Sequence, residues 1–119
     1  MSDRLDEFQK LRAELNEEIL GCGHLGMKRF FALDHQTYEP GALDAKTKEL
    51  LGLVASTVLR CDDCISYHLV RAGEVGWKRD EVIDALNVAL VVGGSITIPH
   101  VRRAFLRMRE VQGLQSEVK

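Results

Sequence analysis

Apolar side chains recur at three- and four-residue steps through most of this chain, and that period predicts helices. Leu5, Phe8, Leu11, Leu15 and Ile19 share one face of a first helix, which Ser2 or Asp3 can cap. Gly21-Cys22-Gly23 closes it, as glycine commonly does at a helix C-terminus. A shorter second helix covers about residues 25–34, and Pro40-Gly41 marks a turn. Asp44 caps a third helix that runs to about Leu59. Arg60 to Asp62 make a tight join into a fourth, which reaches about Ala72 and ends at Gly73. Asp80 caps a fifth, broken by Gly93-Gly94. Ser95 or Thr97, followed by Pro99, opens a last helix with Val101, Phe105 and Met108 inward. The tail after Gln112 is expected to fray. With only two prolines, short β-branched runs and no alternating strand pattern, the reading is an all-helical (all-α) fold.

Two stretches break the one-sided pattern. Leu50-Leu51-Gly52-Leu53-Val54-Ala55-Ser56-Thr57-Val58-Leu59 is apolar almost all round, and so is the run from Val82 to Val92. Such helices are buried, and two of them exceed what a small domain covers. Uncovered apolar patches mark interfaces, so an obligate homo-oligomer is expected. The other possibility is that the remaining helices wrap both.

Length and charge narrow the class. The 119 residues form one expected domain, 1–119. Net charge is −2, with acids and bases interspersed and no basic stripe, which speaks against nucleic acid as a partner. No apolar run approaches the roughly 20 residues of a membrane span. The charged start, Met1 to Glu7, lacks the apolar core of a signal peptide, so a cytoplasmic location is expected. Three cysteines suit no secreted disulfide framework. In a reducing compartment, a C-x-x-C is catalytic or metal-binding rather than a permanent staple.

That motif is Cys61-Asp62-Asp63-Cys64, and His68 follows its second cysteine by four residues. Helical steps of three and four place all three reactive side chains on one face. Cys61 at the helix start and Cys64 in its first turn meet the positive end of the macrodipole, which favours thiolate. His68 can take the Cys64 proton, and the short spacing lets one cysteine resolve an adduct on the other. Asp62 and Asp63 oppose thiolate formation, so the balance is open. Glu49, on the preceding helix, is within reach of His68 through a water if the two helices form a hairpin. An acid in a first helical turn also simply suits the macrodipole, with Lys46 as a surface partner. Zinc competes: Cys61, Cys64 and His68 supply three ligands, and His100, His35 or Cys22 a fourth. No second C-x-x-C or close histidine pair follows, as most structural zinc modules require.

The Glu49, Cys61, Cys64 and His68 set, a glutamate followed by C-x-x-C-x-x-x-H, resembles the carboxymuconolactone decarboxylase superfamily on its AhpD-like alkylhydroperoxidase branch. The likeness spans roughly residues 43–105, with the later apolar helix and Gly93-Gly94 as less specific parts. It implies a compact AhpD-like helical domain with the C-x-x-C at the start of a helix, assembled as trimers or hexamers. It also implies a thiol-dependent peroxidase or disulfide oxidoreductase acting on small hydroperoxides; separately, no cofactor or metal is expected. Cys64 would react with peroxide, His68 and Glu49 would relay protons, and Cys61 would resolve. An external dithiol, a dihydrolipoyl group or a redox protein, would supply electrons. Asp63 departs from the pattern, because the best-known peroxidases of this type carry an extra histidine there. The chain is also shorter than those two-repeat enzymes and holds a single motif. Alternatives are a carboxymuconolactone decarboxylase-like enzyme with incidental cysteines and a zinc-stabilised non-catalytic module. Elsewhere, Tyr67 reads as packing rather than channel, and Trp77 as a plug at a core edge or interface. Cys22 reads as a helix-end residue, His100 as a hydrogen-bonded structural histidine, and Asn87 as a bond across an interface.

Overall fold

The computed structural model describes residues 3–116. Capping of the first helix by Ser2 or Asp3 lies outside the described residues and side chains. In chain order the elements are α1 (Asp3–Gly21), α2 (Leu25–Thr37), α3 (Ala45–Val58), α4 (Asp62–Glu74), α5 (Arg79–Gly93) and α6 (Ile98–Met108), with a 3-10 turn at Ser95–Thr97. The fold is all-helical, and among the described residues no strand occurs.

Helices α3 and α4 form the central pair; α5 packs on α3 and α6 on α4. The pair runs back along itself, because Trp77, just past α4, donates its indole N–H to Lys46 O at the start of α3 (2.8 Å). Trp77 is half-buried against the core, which makes it a plug at a core edge. Asp44 caps α3 as expected, its carboxylate accepting the Thr47 N–H at 2.7 Å. Leu53, Ile65, Leu69, Leu86 and Met108 form a sealed centre. Of the inward-facing positions expected on α6, Met108 is fully buried, Val101 and Phe105 partly so, and Ala104 joins them.

Helix boundaries differ from the expectation at the start of α5 and the end of α4. Helix α5 starts at Arg79 with Lys78 as its N-cap residue, and the Glu81 carboxylate accepts the Lys78 N–H at 2.9 Å. A glutamate three residues on fits that role, while Asp80 falls inside the first turn. Helix α4 passes through Gly73 and ends at Glu74. Gly73 serves packing rather than termination: a Cβ there would lie 2.9 Å from Gln112 O. The left-handed turn residue is Gly76 (φ +97°).

The tail beyond Gln112 does not fray at once. Leu114 is fully buried and its carbonyl accepts from Arg79 at 2.9 Å. The Leu114→Ala variant is therefore expected to lose about 2–5 kcal/mol of stability, as core leucine truncations do. Chemical denaturation checks this; a loss below about 0.5 kcal/mol, the surface range, would contradict it.

Among the described residues, the two all-apolar helices are not fully wrapped by the other elements. Helix α5 buries Val82, Ala85, Leu86 and Ala89, yet Val91 and Val92 stay 76% and 70% exposed. Leu59, at the end of α3, is 76% exposed, and Leu51, Val88 and Ile96 are also open to solvent. Helix α2 buries no residue and lies alongside α1. Together with α4 they shape the cavity at the candidate site.

Candidate active site

Cys61 occupies the N-cap position of α4 and Cys64 its first turn. The join before them is tight: Arg60 adopts φ +63°, and the Cys61 N–H is held by Ser56 O at 3.0 Å. Both cysteines are free thiols whose sulfur atoms lie 2.8 Å apart, so the expected pair is assembled. Cys61 is partly covered and Cys64 faces outward.

His68, one turn further along α4, is buried. Its Nδ1–H donates to Glu49 Oε1 at 3.0 Å, a direct contact that needs no intervening water. A carboxylate oxygen only accepts, so Nδ1 carries a proton, and in the neutral ring Nε2 is the acceptor. That nitrogen faces the Tyr38 hydroxyl at 3.4 Å. Glu49 is 1% exposed, and its second oxygen accepts from Arg71 Nε at 3.3 Å. Arg71 in turn pairs with Glu74 at 2.6 Å, which raises the affinity of its guanidinium for its proton. Lys46 is not the partner of Glu49; its ammonium sits over the Trp77 ring, 4.3 Å from the centroid.

Three residues here carry no motif in the sequence. Tyr38 comes from the residue that ends α2, Arg71 from the last turn of α4 and Gly52 from the middle of α3. Gly52 is the least replaceable. A Cβ there would lie 2.6 Å from His68 Cε1, 2.8 Å from His68 Nε2 and 2.8 Å from Tyr38 Oη. The one available sign was a glycine inside an otherwise apolar helix, where it costs helix stability and so marks a close approach.

A cavity of about 410 Å³ opens over this group. Phe8, Leu11, Leu15 and Ile19 of α1 form an apolar wall, while Asp34 comes from α2, Tyr38 from the position just past its end, and Cys64, Tyr67 and His68 from α4. Tyr67 thus lines the cavity rather than only packing between helices. Its ring meets His68 edge-on and carries the Arg12 guanidinium 4.2 Å from its centroid.

The electrostatic balance left open by the sequence falls against thiolate. Burial, the contact with Cys61 and the negative charges of Asp63 and Asp34 push the Cys64 thiol up to about 11. Asp62 is turned away and bound elsewhere, accepting from His100 at 2.8 Å and Arg103 at 2.9 Å. His100, on α6, is thus a structural histidine hydrogen-bonded to the cysteine helix of its own chain. Because Cys64 binds its proton tightly, its alkylation by iodoacetamide is expected to climb about tenfold per pH unit from pH 7 to 10. Asp63→Asn is expected to shift that profile to lower pH. Peptide-mapped alkylation rates check both; a plateau below pH 8 would contradict the assignment.

The zinc ligand set is not assembled. Cys22 lies exposed just past α1 and His35 lies exposed on α2, while His100 is bound to Asp62. Among the described residues no group of three or more His, Cys, Asp or Glu side chains is placed to hold a metal ion.

An all-helical fold around a Glu–His pair and a C-x-x-C thiol pair defines a class, and the chain belongs to the carboxymuconolactone decarboxylase family, whose model matches residues 24–107. A crystal structure of a Thermotoga maritima protein shares 60% identity over 87% of this chain and 91% of its own, with a TM-score of 0.85. A second Thermotoga maritima crystal structure, at 60% identity, TM-score 0.83 and coverage of 87% and 88%, is of a carboxymuconolactone decarboxylase family protein suggested to be involved in antioxidative response. An apo family member from Legionella pneumophila is similar in fold at 23% identity and TM-score 0.78, over 96% of this chain and 99% of its own. An uncharacterised protein in the cox locus of Paracoccus denitrificans is 29% identical over 84 residues, 71% of this chain and 76% of that protein. Among the described residues no helix is long and apolar enough to cross a membrane.

Proposed function

We propose that this chain is a thiol-dependent peroxidase that reduces small organic hydroperoxides through a Cys61–Cys64 redox cycle. The observation that carries this reading is the position of Cys64. It lines an apolar cavity together with His68, with the Cys61 sulfur 2.8 Å away and Glu49 fixed behind the imidazole. The Thermotoga maritima protein suggested to act in antioxidative response supports the same direction.

The cycle has three steps. Cys64 sulfur attacks the distal peroxide oxygen, giving a sulfenic acid and an alcohol. The Cys61 thiol condenses with the sulfenic acid, forming the disulfide and releasing water. An external dithiol, a dihydrolipoyl group or a redox protein, then reduces the disulfide and is itself oxidised. Because Cys64 holds its proton tightly, the first step needs a base to receive it, and His68 oriented by Glu49 serves. The apolar α1 wall favours a hydroperoxide with a hydrocarbon tail. The protein works as a homo-oligomer, a trimer or hexamer, in the cytoplasm; the exposed Leu59, Val91, Val92 and Ile96 supply apolar surface for assembly.

Mass spectrometry of reduced, metal-free protein before and after stoichiometric cumene hydroperoxide tests the reading. The expected result is a loss of two hydrogens mapped to the peptide holding Cys61 and Cys64. Unchanged thiols would overturn it. Turnover of a lactone acid that survives replacement of both cysteines would instead favour decarboxylase-like chemistry.

A further inference from the structure

We propose that Tyr38 is the link that carries the proton between Cys64 and His68, a role that rests on the peroxidase reading above. The starting point is where the hydrogen bonds of His68 go. Glu49 holds Nδ1, so Nε2 is the only basic position left on the ring. What faces Nε2 is not a thiol but the Tyr38 hydroxyl, at 3.4 Å. Contacts of this kind are commonly long before substrate binds and tighten in the reacting complex. Tyr38 and Cys64 line the same cavity, and the two side chains lie close enough for the charge of one to act on the other.

Two further features show that this contact is built in. The first is the hollow at Gly52, whose missing Cβ would strike both His68 Nε2 and Tyr38 Oη. The second is the clamp on the end of α2. Lys48 of α3 donates to Thr37 O at 2.9 Å and to Glu39 O at 2.7 Å, pinning the residues on either side of Tyr38. Its ring also packs on the imidazole, with centroids 5.4 Å apart. Burial and the nearby Asp34 raise the hydroxyl's hold on its own proton, so it remains an OH that can donate and accept at once.

The step balances as follows. As the Cys64 sulfur forms its bond to the distal oxygen and the O–O bond breaks, the thiol proton passes to the Tyr38 oxygen. The Tyr38 proton moves to His68 Nε2 in the same event. Sulfur is oxidised by two electrons and the peroxide is reduced. The proton then returns by the same route to the alkoxide, leaving Cys64 sulfenic acid, an alcohol, neutral His68 and Tyr38 as before. Tyr38 is thus a relay between the sulfur and the imidazole.

Stopped-flow measurement of disulfide formation with cumene hydroperoxide, as a function of pH, tests the role in wild type and Tyr38→Phe. Phenylalanine keeps the packing on His68 and removes only the hydroxyl. A slowing of at least about tenfold at pH 7 is expected. The deficit should shrink toward pH 10–11, where Cys64 loses its proton without help. Equal rates at every pH, or a deficit that does not change with pH, would overturn the relay while leaving the peroxidase reading intact. A wild type that forms no disulfide at any pH would instead overturn the peroxidase reading, and the relay with it.

Discussion

Gly52→Ala is expected to lower the rate of hydroperoxide-driven disulfide formation by about two orders of magnitude while the protein stays folded. The added methyl group would lie 2.6–2.8 Å from two atoms of the His68 ring and from the Tyr38 hydroxyl. Neither neighbour is the loose end of a flexible chain: His68 is tied to Glu49, and the α2 end carrying Tyr38 is clamped by Lys48. One of them must move, and a displacement of about 1 Å in a catalytic group typically costs about a hundredfold. Stability should fall by only about 1–3 kcal/mol, the usual range for overpacking by one methyl group. Alanine itself is a better helix former than glycine, which offsets about 1 kcal/mol of that. Rate and melting temperature measured on the same preparation check the prediction. An unaltered rate would show that the His68–Tyr38 contact does not matter to the chemistry.

Glu49→Ala is expected to damage both activity and stability. The carboxylate is buried and serves two donors, His68 Nδ1 at 3.0 Å and Arg71 Nε at 3.3 Å. Removing it leaves a buried imidazole N–H and a partly buried guanidinium without their acceptor. Breaking one side of a buried pair typically costs about 3–5 kcal/mol. Arg71 is 36% exposed and keeps Glu74, so the lower end, about 3 kcal/mol, is expected. The chemical step loses the group that fixes the His68 tautomer and stabilises its protonated form, an effect of about 10²–10⁴-fold for general acid–base catalysis. Glu49→Gln separates the two effects. It retains volume and one acceptor, so stability should recover more than rate does. Full activity in the glutamine variant would remove Glu49 from the proton path.

Much of the architecture was legible from periodicity. The order and type of the helices follow from apolar residues at three- and four-residue steps, and Asp44 from cap chemistry. The spacing of Cys61, Cys64 and His68 points to thiol chemistry in the sequence itself, and Glu49 joins them only through the family resemblance. The boundaries that differed turn on short-range competition: Glu81 reaches the Lys78 N–H while Asp80 settles into the first turn. The polar tail hid Leu114, because a single apolar residue among polar ones carries no period and its burial depends on what it meets.

By itself, then, the sequence determined which residues share a helix face, and so that two thiols and an imidazole lie along one side of α4. That information is local, since helical geometry converts spacing directly into direction. Only the tertiary structure decided whether Glu49 touches His68, that Tyr38 and not Cys64 occupies Nε2, and that Gly52 leaves the space for both. It also decided the balance at Cys64, where burial, the contact with Cys61 and the charges of Asp63 and Asp34 strengthen the thiol's hold on its proton. Coulomb energies and steric fit depend on distances between helices, and those distances are fixed by packing among segments far apart in the chain.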